Sequence, residues 1–333
     1  MSQEPAGAFT KIDDRLDRAV NIDIGGRGVE HLYAAARLRQ GGSLVGSAAD
    51  RLTGLEPGST VLMTTGSVSR AWISQKIGEN DGPAGTAVIA RAMAIGAKAH
   101  CILVCEEALI EPHAAIFRAA GLSVLSHEEA RHASRDGSLA AISIESFPST
   151  DAEANPASKE MLDRFKPALL FSAERVGRAN DGVYYSMRGI DYGMGRARVD
   201  YLFDEALRRG IPTVCVGDGG NEIGMGAINE AVRSHVKFGE RIGAITGADV
   251  LVTAACSNWG CSAIAAAMAL RLSDRRLFNT PELERFLLQR GVEVGLINSV
   301  ANVIDANVDG IEIETHIAMV TLLRAITSPH LKI

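Results

Sequence analysis

The sequence predicts an α/β protein with a doubly wound, mostly parallel sheet, helices on both of its faces and an N-terminal helical extension. Three observations carry that expectation. Strand-like and helix-like runs alternate from residue 60 onward. The strand-like runs are continuous Val/Ile/Leu stretches rather than alternating ones, as strands buried on both faces require. Several of them end in polar, glycine-containing segments, the pattern of ligand loops at the carboxyl edge of an open parallel sheet.

Taken in order, residues 1–20 mix acidic and basic side chains and read as a short helix or a loose arm. Gly25-Gly26-Arg27-Gly28 introduces a helical stretch from Glu30 to Arg39, and residues 1–58 together form the extension. That glycine segment is either an anion-binding helix start or a turn carrying a surface arginine. The α/β domain spans 59–330, with strands expected at Val61–Thr65, His100–Cys105, Leu122–Leu125, Ala140–Ile144, Ala168–Ser172, Pro212–Val216 and Asp249–Ala254. Helices are expected at Ala84–Ala97, Pro112–Ala120, Ala197–Arg209, Ala227–Val236 and Ser262–Leu272. Ser149–Pro156 is polar and turn-rich, so it reads as an internal connector, either between two halves or within one domain.

Composition narrows the function classes. A net charge of −6 gives no support to a nucleic-acid partner, which needs a basic face. No apolar run approaches the roughly 18 to 20 residues that a bilayer crossing takes. Met1-Ser2-Gln3-Glu4-Pro5 has neither a basic region nor an apolar one, so no secretory signal is expected. Five cysteines without a CxxC pair fit reduced thiols and a cytoplasmic location. Cys101, Cys105 and Cys215 lie inside strand-like runs and read as core. Cys256, at a strand end near a helix start, invites a nucleophile reading, but it has no His or Asp neighbour in sequence.

The unusual residues collect at strand ends. Val61-Leu62-Met63 runs into Thr64-Thr65-Gly66-Ser67, and Leu169-Leu170-Phe171 into Glu174-Arg175-Val176-Gly177-Arg178-Ala179-Asn180-Asp181-Gly182. Val214-Cys215-Val216 runs into Gly217-Asp218-Gly219-Gly220-Asn221-Glu222-Ile223-Gly224-Met225-Gly226, and Val250-Leu251-Val252 into Cys256-Ser257-Asn258-Trp259-Gly260. One such loop could be structural; four on one edge predict a shared small-molecule pocket. Asn258 and Trp259 are expected to contact substrate, one as a hydrogen-bonding amide and one as an apolar wall. Contacts are also expected from Thr65, Gly66, Asp181, Asn221 and Ser257.

Phosphate-loop motifs fail in the glycine-rich loop. GxGxxG would need glycine where Glu222 stands, and a Walker A reading from Gly219 to Gly224 meets Met225 where lysine belongs. No histidine spacing suits zinc. Oxygen ligands for a hard cation are available from Asp81, Asp218 and Glu222, with Glu174 or Asp181 as further candidates. In Glu79-Asn80-Asp81-Gly82-Pro83-Ala84-Gly85 the competing reading is a helix cap, with Pro83 in the first turn.

The segments at 79–85, 174–182, 217–226 and 257–260 together resemble the D-glutamate cyclase-like C-terminal domain family over roughly residues 21–327. The resemblance implies an enzyme, a hydro-lyase that converts D-glutamate to 5-oxo-D-proline and water. That chemistry could use a divalent cation, magnesium or manganese, or an arginine to offset the carboxylate charge. The resemblance also implies that a cyclase domain lying elsewhere, such as a separate protein, is a partner, and a homo-oligomer is a further expectation. Such chemistry would use Asp218 and Glu222 as base and acid or as metal ligands, with Glu174 as a further catalytic carboxylate. Arg175 or Arg178 would clamp the α-carboxylate, and the Gly219 and Gly220 amides would face the oxyanion. The alternative is a non-catalytic or regulatory domain that binds an amino acid or nucleotide.

Overall fold

A computed structural model describes residues 9–331. The arm reading of residues 1–8 lies outside the described residues. All seven expected runs are strands, each within two residues of its expected bounds: β1 Thr60–Thr64, β2 His100–Cys105, β3 Ser123–Val124, β4 Ala141–Ser146, β5 Leu169–Ala173, β6 Thr213–Gly217 and β7 Val250–Thr253. They form one sheet in the order β3-β4-β2-β1-β5-β6-β7, and every pairing is parallel. Every residue of β2, β5, β6 and β7 is buried, which is why those runs show no polar alternation.

The helices are α1 Thr10–Val20, α2 Val29–Gln40, α3 Leu44–Thr53, α4 Pro83–Ala92, α5 Ile110–Ala119, α6 His127–Asp136, α7 Asp151–Phe165, α8 Asp200–Arg208, α9 Asn229–His235, α10 Gly239–Ile242, α11 Ser257–Leu272, α12 Pro281–Glu293 and α13 Ile313–Thr327. The chain moves one way from β1 to β2 and the other way from β5 through β7. Right-handed crossovers therefore put the connecting helices on opposite faces. Accordingly α7 packs on α8, while α4 packs on α5 and α11.

Helix α11 is buried on all sides from Ser257 to Leu270, matching its Ala-rich, uniformly apolar sequence. Around it lie α3, α4 and α13. A single apolar core reaches from Ile12 in α1 to Leu331, so the helices before β1 share it with the sheet.

Three local expectations change. Ser149–Pro156 is not a turn-rich connector: α7 begins at Asp151 and carries Pro156 inside it. The helix expected from Ala197 starts at Asp200, because Ala197 is engaged elsewhere; its N–H donates to Glu106 and its carbonyl accepts from Arg175. The helix expected from Ser262 starts five residues earlier, at Ser257, where its first amide finds a carboxylate acceptor. No helix among the described residues is long and apolar enough to cross a membrane.

Candidate active site

The sheet reverses its winding between β1 and β5, and the site forms at the carboxyl ends around that point. Because β1, β5 and β6 are neighbours, the residues that leave them arrive side by side. Glu174 directly follows β5 and Asp218 directly follows β6. Asp81 comes from the long loop after β1, just before Gly82 and Pro83 start α4. One carboxylate oxygen from each of Asp81, Glu174 and Asp218 lies within 4.8 Å of the other two.

The backbone is shaped to bring them together. A Cβ on Gly66 would lie 2.1 Å from the Asp81 carbonyl oxygen, so only glycine lets the β1 exit pass this close to Asp81. Gly82 has φ 94°, and a Cβ there would meet Glu174 and Thr65. Glu174 itself is left-handed at φ 58°, unusual for a long side chain and worth about 1–2 kcal/mol of strain. Its amide is held by the Val216 carbonyl at 3.2 Å.

Ser257 ties two of the acids together. Its backbone N–H donates to Asp218 Oδ2 at 2.9 Å and its hydroxyl to Glu174 Oε2 at 2.5 Å. The N-terminus of α11 thus faces the acids, as that of α4 does beside Asp81, and both helix ends favour negative charge. Burial, reinforced by the neighbouring carboxylates, pushes the Asp81 and Glu174 carboxyls well above the ordinary range. Asp81 is 9% exposed, and its Oδ1 is buried with no hydrogen-bond partner among the described residues. A cluster of hard oxygen donors with one orphaned oxygen suits a divalent cation. Asp81, Glu174 and Asp218 are the residues that could hold one.

Other residues expected at the site have different jobs. Glu222 folds back on its own loop. Its Oε1 accepts from the Asp218 and Gly219 amides at 3.3 and 2.7 Å, and its Oε2 from the Gly220 amide at 2.7 Å. It is therefore not brought into the cation trio, and the Gly219 and Gly220 N–H groups are not free to face an oxyanion. The loop's glycines serve packing rather than ligand approach: Gly224 has φ 104°, and a Cβ there would lie 2.4 Å from Cys215 Cβ.

Arg175 is fully buried. It pairs with Glu106 through both carboxylate oxygens, at 3.1 and 2.8 Å, and donates to the carbonyls of Thr65 and Ala197. Arg178 is taken by Asp200 and Asp204. Exposed Asp181 accepts from Tyr185 and the Val183 amide. The Asn221 side chain donates to the Tyr185 carbonyl, and Asn258 Oδ1 accepts from the Gly85 amide, pinning α11 to α4. Trp259 is core, fully buried, with its indole N–H donated to His316 Nδ1 at 2.9 Å. The Thr65 hydroxyl accepts from Thr86. Cys256 is buried and that burial pushes its thiol far up, the opposite of what a nucleophile needs.

Two residues at the site were missed or undervalued in sequence. Arg27, from the glycine segment before α2, contacts Asp218 Oδ1 at 3.4 Å, pairs with Asp309 and donates to the Ala255 carbonyl at 2.6 Å. Asp309, from the segment between α12 and α13, is left-handed at φ 55°, and burial together with the Asp218 charge pushes its carboxyl up. The only local signal for Asp309 is its Asp-Gly pair, a common turn dipeptide.

The family described as "D-glutamate cyclase-like, C-terminal" matches residues 16–324. Human D-glutamate cyclase, mitochondrial, is 44% identical over 105 residues, which is 31% of this chain and 17% of that protein. The matched segment is thus a small part of that relative's length.

Proposed function

The chain belongs to the D-glutamate cyclase-like, C-terminal family, and on that premise we propose that it is a lyase of the D-glutamate cyclase type, cyclising D-glutamate to 5-oxo-D-proline with loss of water. The observation that carries the reading is the trio of Asp81, Glu174 and Asp218 with its unpaired Asp81 oxygen. In the reaction the α-nitrogen attacks the side-chain carboxyl carbon, a C–N bond forms and a C–O bond breaks. Two protons leave the nitrogen and depart on the oxygen as water.

A divalent ion such as magnesium or manganese, when bound, supplies Lewis acidity that offsets the charge of the reacting carboxylate. Asp81, Glu174 and Asp218 would hold it. Ser257 keeps Glu174 and Asp218 aimed at one point through its amide and hydroxyl. Asp309 is the carboxyl outside the trio best suited to exchange a proton, since its affinity for one is raised and it shares Arg27 with Asp218.

The test is to incubate the purified protein with D-glutamate, with and without Mg²⁺ or Mn²⁺, and follow 5-oxoproline by mass spectrometry. Metal-dependent product is expected, falling ~100-fold or more in Glu174→Gln and Asp218→Asn. Full turnover in both variants, or no product from either enantiomer with metal present, sinks the reading. A second reading, a non-catalytic binder of an amino acid or nucleotide, is consistent with a match that covers 17% of the relative's length. Calorimetric binding without product would select it.

A further inference from the structure

With Arg175 and Arg178 committed to internal carboxylates, the site needs another cation if its ligand carries a carboxylate beyond the one placed at the metal. Two other arginines at this edge are also occupied. Arg196 is buried, donating to Ser67 and to the Val68 and Tyr192 carbonyls, and Arg70 is bound by Ser69, Ser299 and Asn302. Arg27 differs. Its Nη2 alone makes the contacts to Asp218, Asp309 and the Ala255 carbonyl. Its Nη1 and Nε have no protein acceptor among the described residues, are not among the buried orphaned atoms, and belong to a side chain that is 26% exposed. One nitrogen anchors the guanidinium while the remaining donors reach solvent at the rim of the acidic trio.

The anchoring is built in before any ligand arrives. Asp23 accepts from the Arg27 amide at 3.0 Å and the Gly28 amide at 2.7 Å, fixing the turn that carries the arginine. The preceding Asn21 exchanges hydrogen bonds with Thr253 at the end of β7, and the Ala255 amide donates to the Val20 carbonyl at 2.7 Å. The N-terminal helices are thereby latched onto the carboxyl edge of the sheet, and Arg27 is delivered to a point 191 positions in sequence from Asp218. Such a held guanidinium loses little freedom on meeting an anion.

We propose that Arg27 is the residue that recognises the α-carboxylate of an amino-acid ligand, setting the site's specificity for an acid over its amide. The assignment rests on the reading of the trio as the place where the ligand's other carboxylate binds. The competing role is a fixed counter-ion that only neutralises Asp218 and Asp309. The two roles separate by calorimetry with Mn²⁺ alone, then with D-glutamate and with its α-carboxamide in the presence of Mn²⁺.

Wild-type protein is expected to prefer the acid by ~10-fold or more. Arg27→Ala should lose that preference by weakening D-glutamate alone, Arg27→Lys should keep part of it, and Mn²⁺ affinity without ligand should hold or rise in Arg27→Ala, because a competing cation has left Asp218. Asp23→Ala, which frees the turn, should reduce the preference although the guanidinium is still present, because it is no longer held at the rim. A retained preference in Arg27→Ala, equal loss of both ligands together with Mn²⁺, or no binding of either ligand by the wild type overturns the assignment. If the preference behaves as expected but no 5-oxoproline forms, the cyclase reading fails and Arg27 stands. If product forms and Arg27→Ala has an unchanged KM, Arg27 fails and the cyclase reading stands.

Discussion

At the scale of single residues, the informative distinction is between charges that are satisfied and charges that are left open. Arg175 and Arg27 are both arginines near one edge of the sheet, yet only one is available to a ligand. Arg175 links the exits of three strands, through Thr65 after β1, Glu106 after β2 and its own position after β5. Removing it leaves the Glu106 carboxylate buried without its counter-ion. Arg175→Ala should therefore destabilise the fold by about 3–5 kcal/mol in urea unfolding. A loss below about 1 kcal/mol would show that the pair is not the brace it appears in the geometry. In sequence the two arginines were indistinguishable by type. Arg175 sat in a loop of obvious interest, and Arg27 in a turn that read equally well as surface, because the partner that decides each role lies far along the chain.

At the scale of elements, the loop from Gly217 to Gly226 shows how one segment divides its labour. Asp218 points to the trio, while Glu222 turns back and gathers three amides of the same loop. A carboxylate has two acceptor oxygens for those amides, and a carboxamide has one. Glu222→Gln should leave at least one buried N–H unpaired, costing about 1–3 kcal/mol and loosening the loop. Activity should fall while the shape of its pH profile is kept, since the residue shapes the loop and is not the acid or base. A profile that loses one of its limbs in Glu222→Gln would contradict this and return Glu222 to the chemistry. That the loop belongs to a site was legible from its acids and glycines. Which acid serves the ligand and which serves the loop was not, because both are carboxylates four positions apart and only the fold sets where each side chain points.

At the scale of the whole molecule, the buried titratable groups set how stability varies with pH. His113 is fully buried, neither ring nitrogen has a hydrogen-bond partner among the described residues, and burial pushes its pKa from 6.5 down to about 4. Between those values the unfolded chain binds a proton that the fold refuses. The group's contribution is therefore fully present above pH 6.5 and is lost as pH falls toward 4, on the order of 3 kcal/mol. His113→Leu should flatten that part of the profile relative to wild type in urea unfolding at pH 7.5 and 4.5, and an unchanged slope would refute the assignment. Glu284 has the opposite sign: burial raises it to about 7, so its contribution is present below 4.5 and is lost as pH rises through 7. Comparing variants rather than absolute profiles keeps the two apart.

The sequence by itself determined the sheet and the edge where function collects. Strand and helix identity follow from local apolar patterning, and a parallel sheet with right-handed crossovers leaves its polar loops at one end whatever the details. The exits of β1, β5, β6 and β7 were legible for that reason, and so were Asp81, Glu174 and Asp218 as candidate carboxylates. Only the tertiary structure decided which of the acids converge, that Glu222, Arg175 and Arg178 are engaged by partners within the fold, and that Arg27 and Asp309 reach the site from opposite ends of the chain. Those outcomes depend on contacts between residues tens to hundreds of positions apart. Local pattern specifies what each segment becomes, but a charge acquires its role from the partner that folding places beside it.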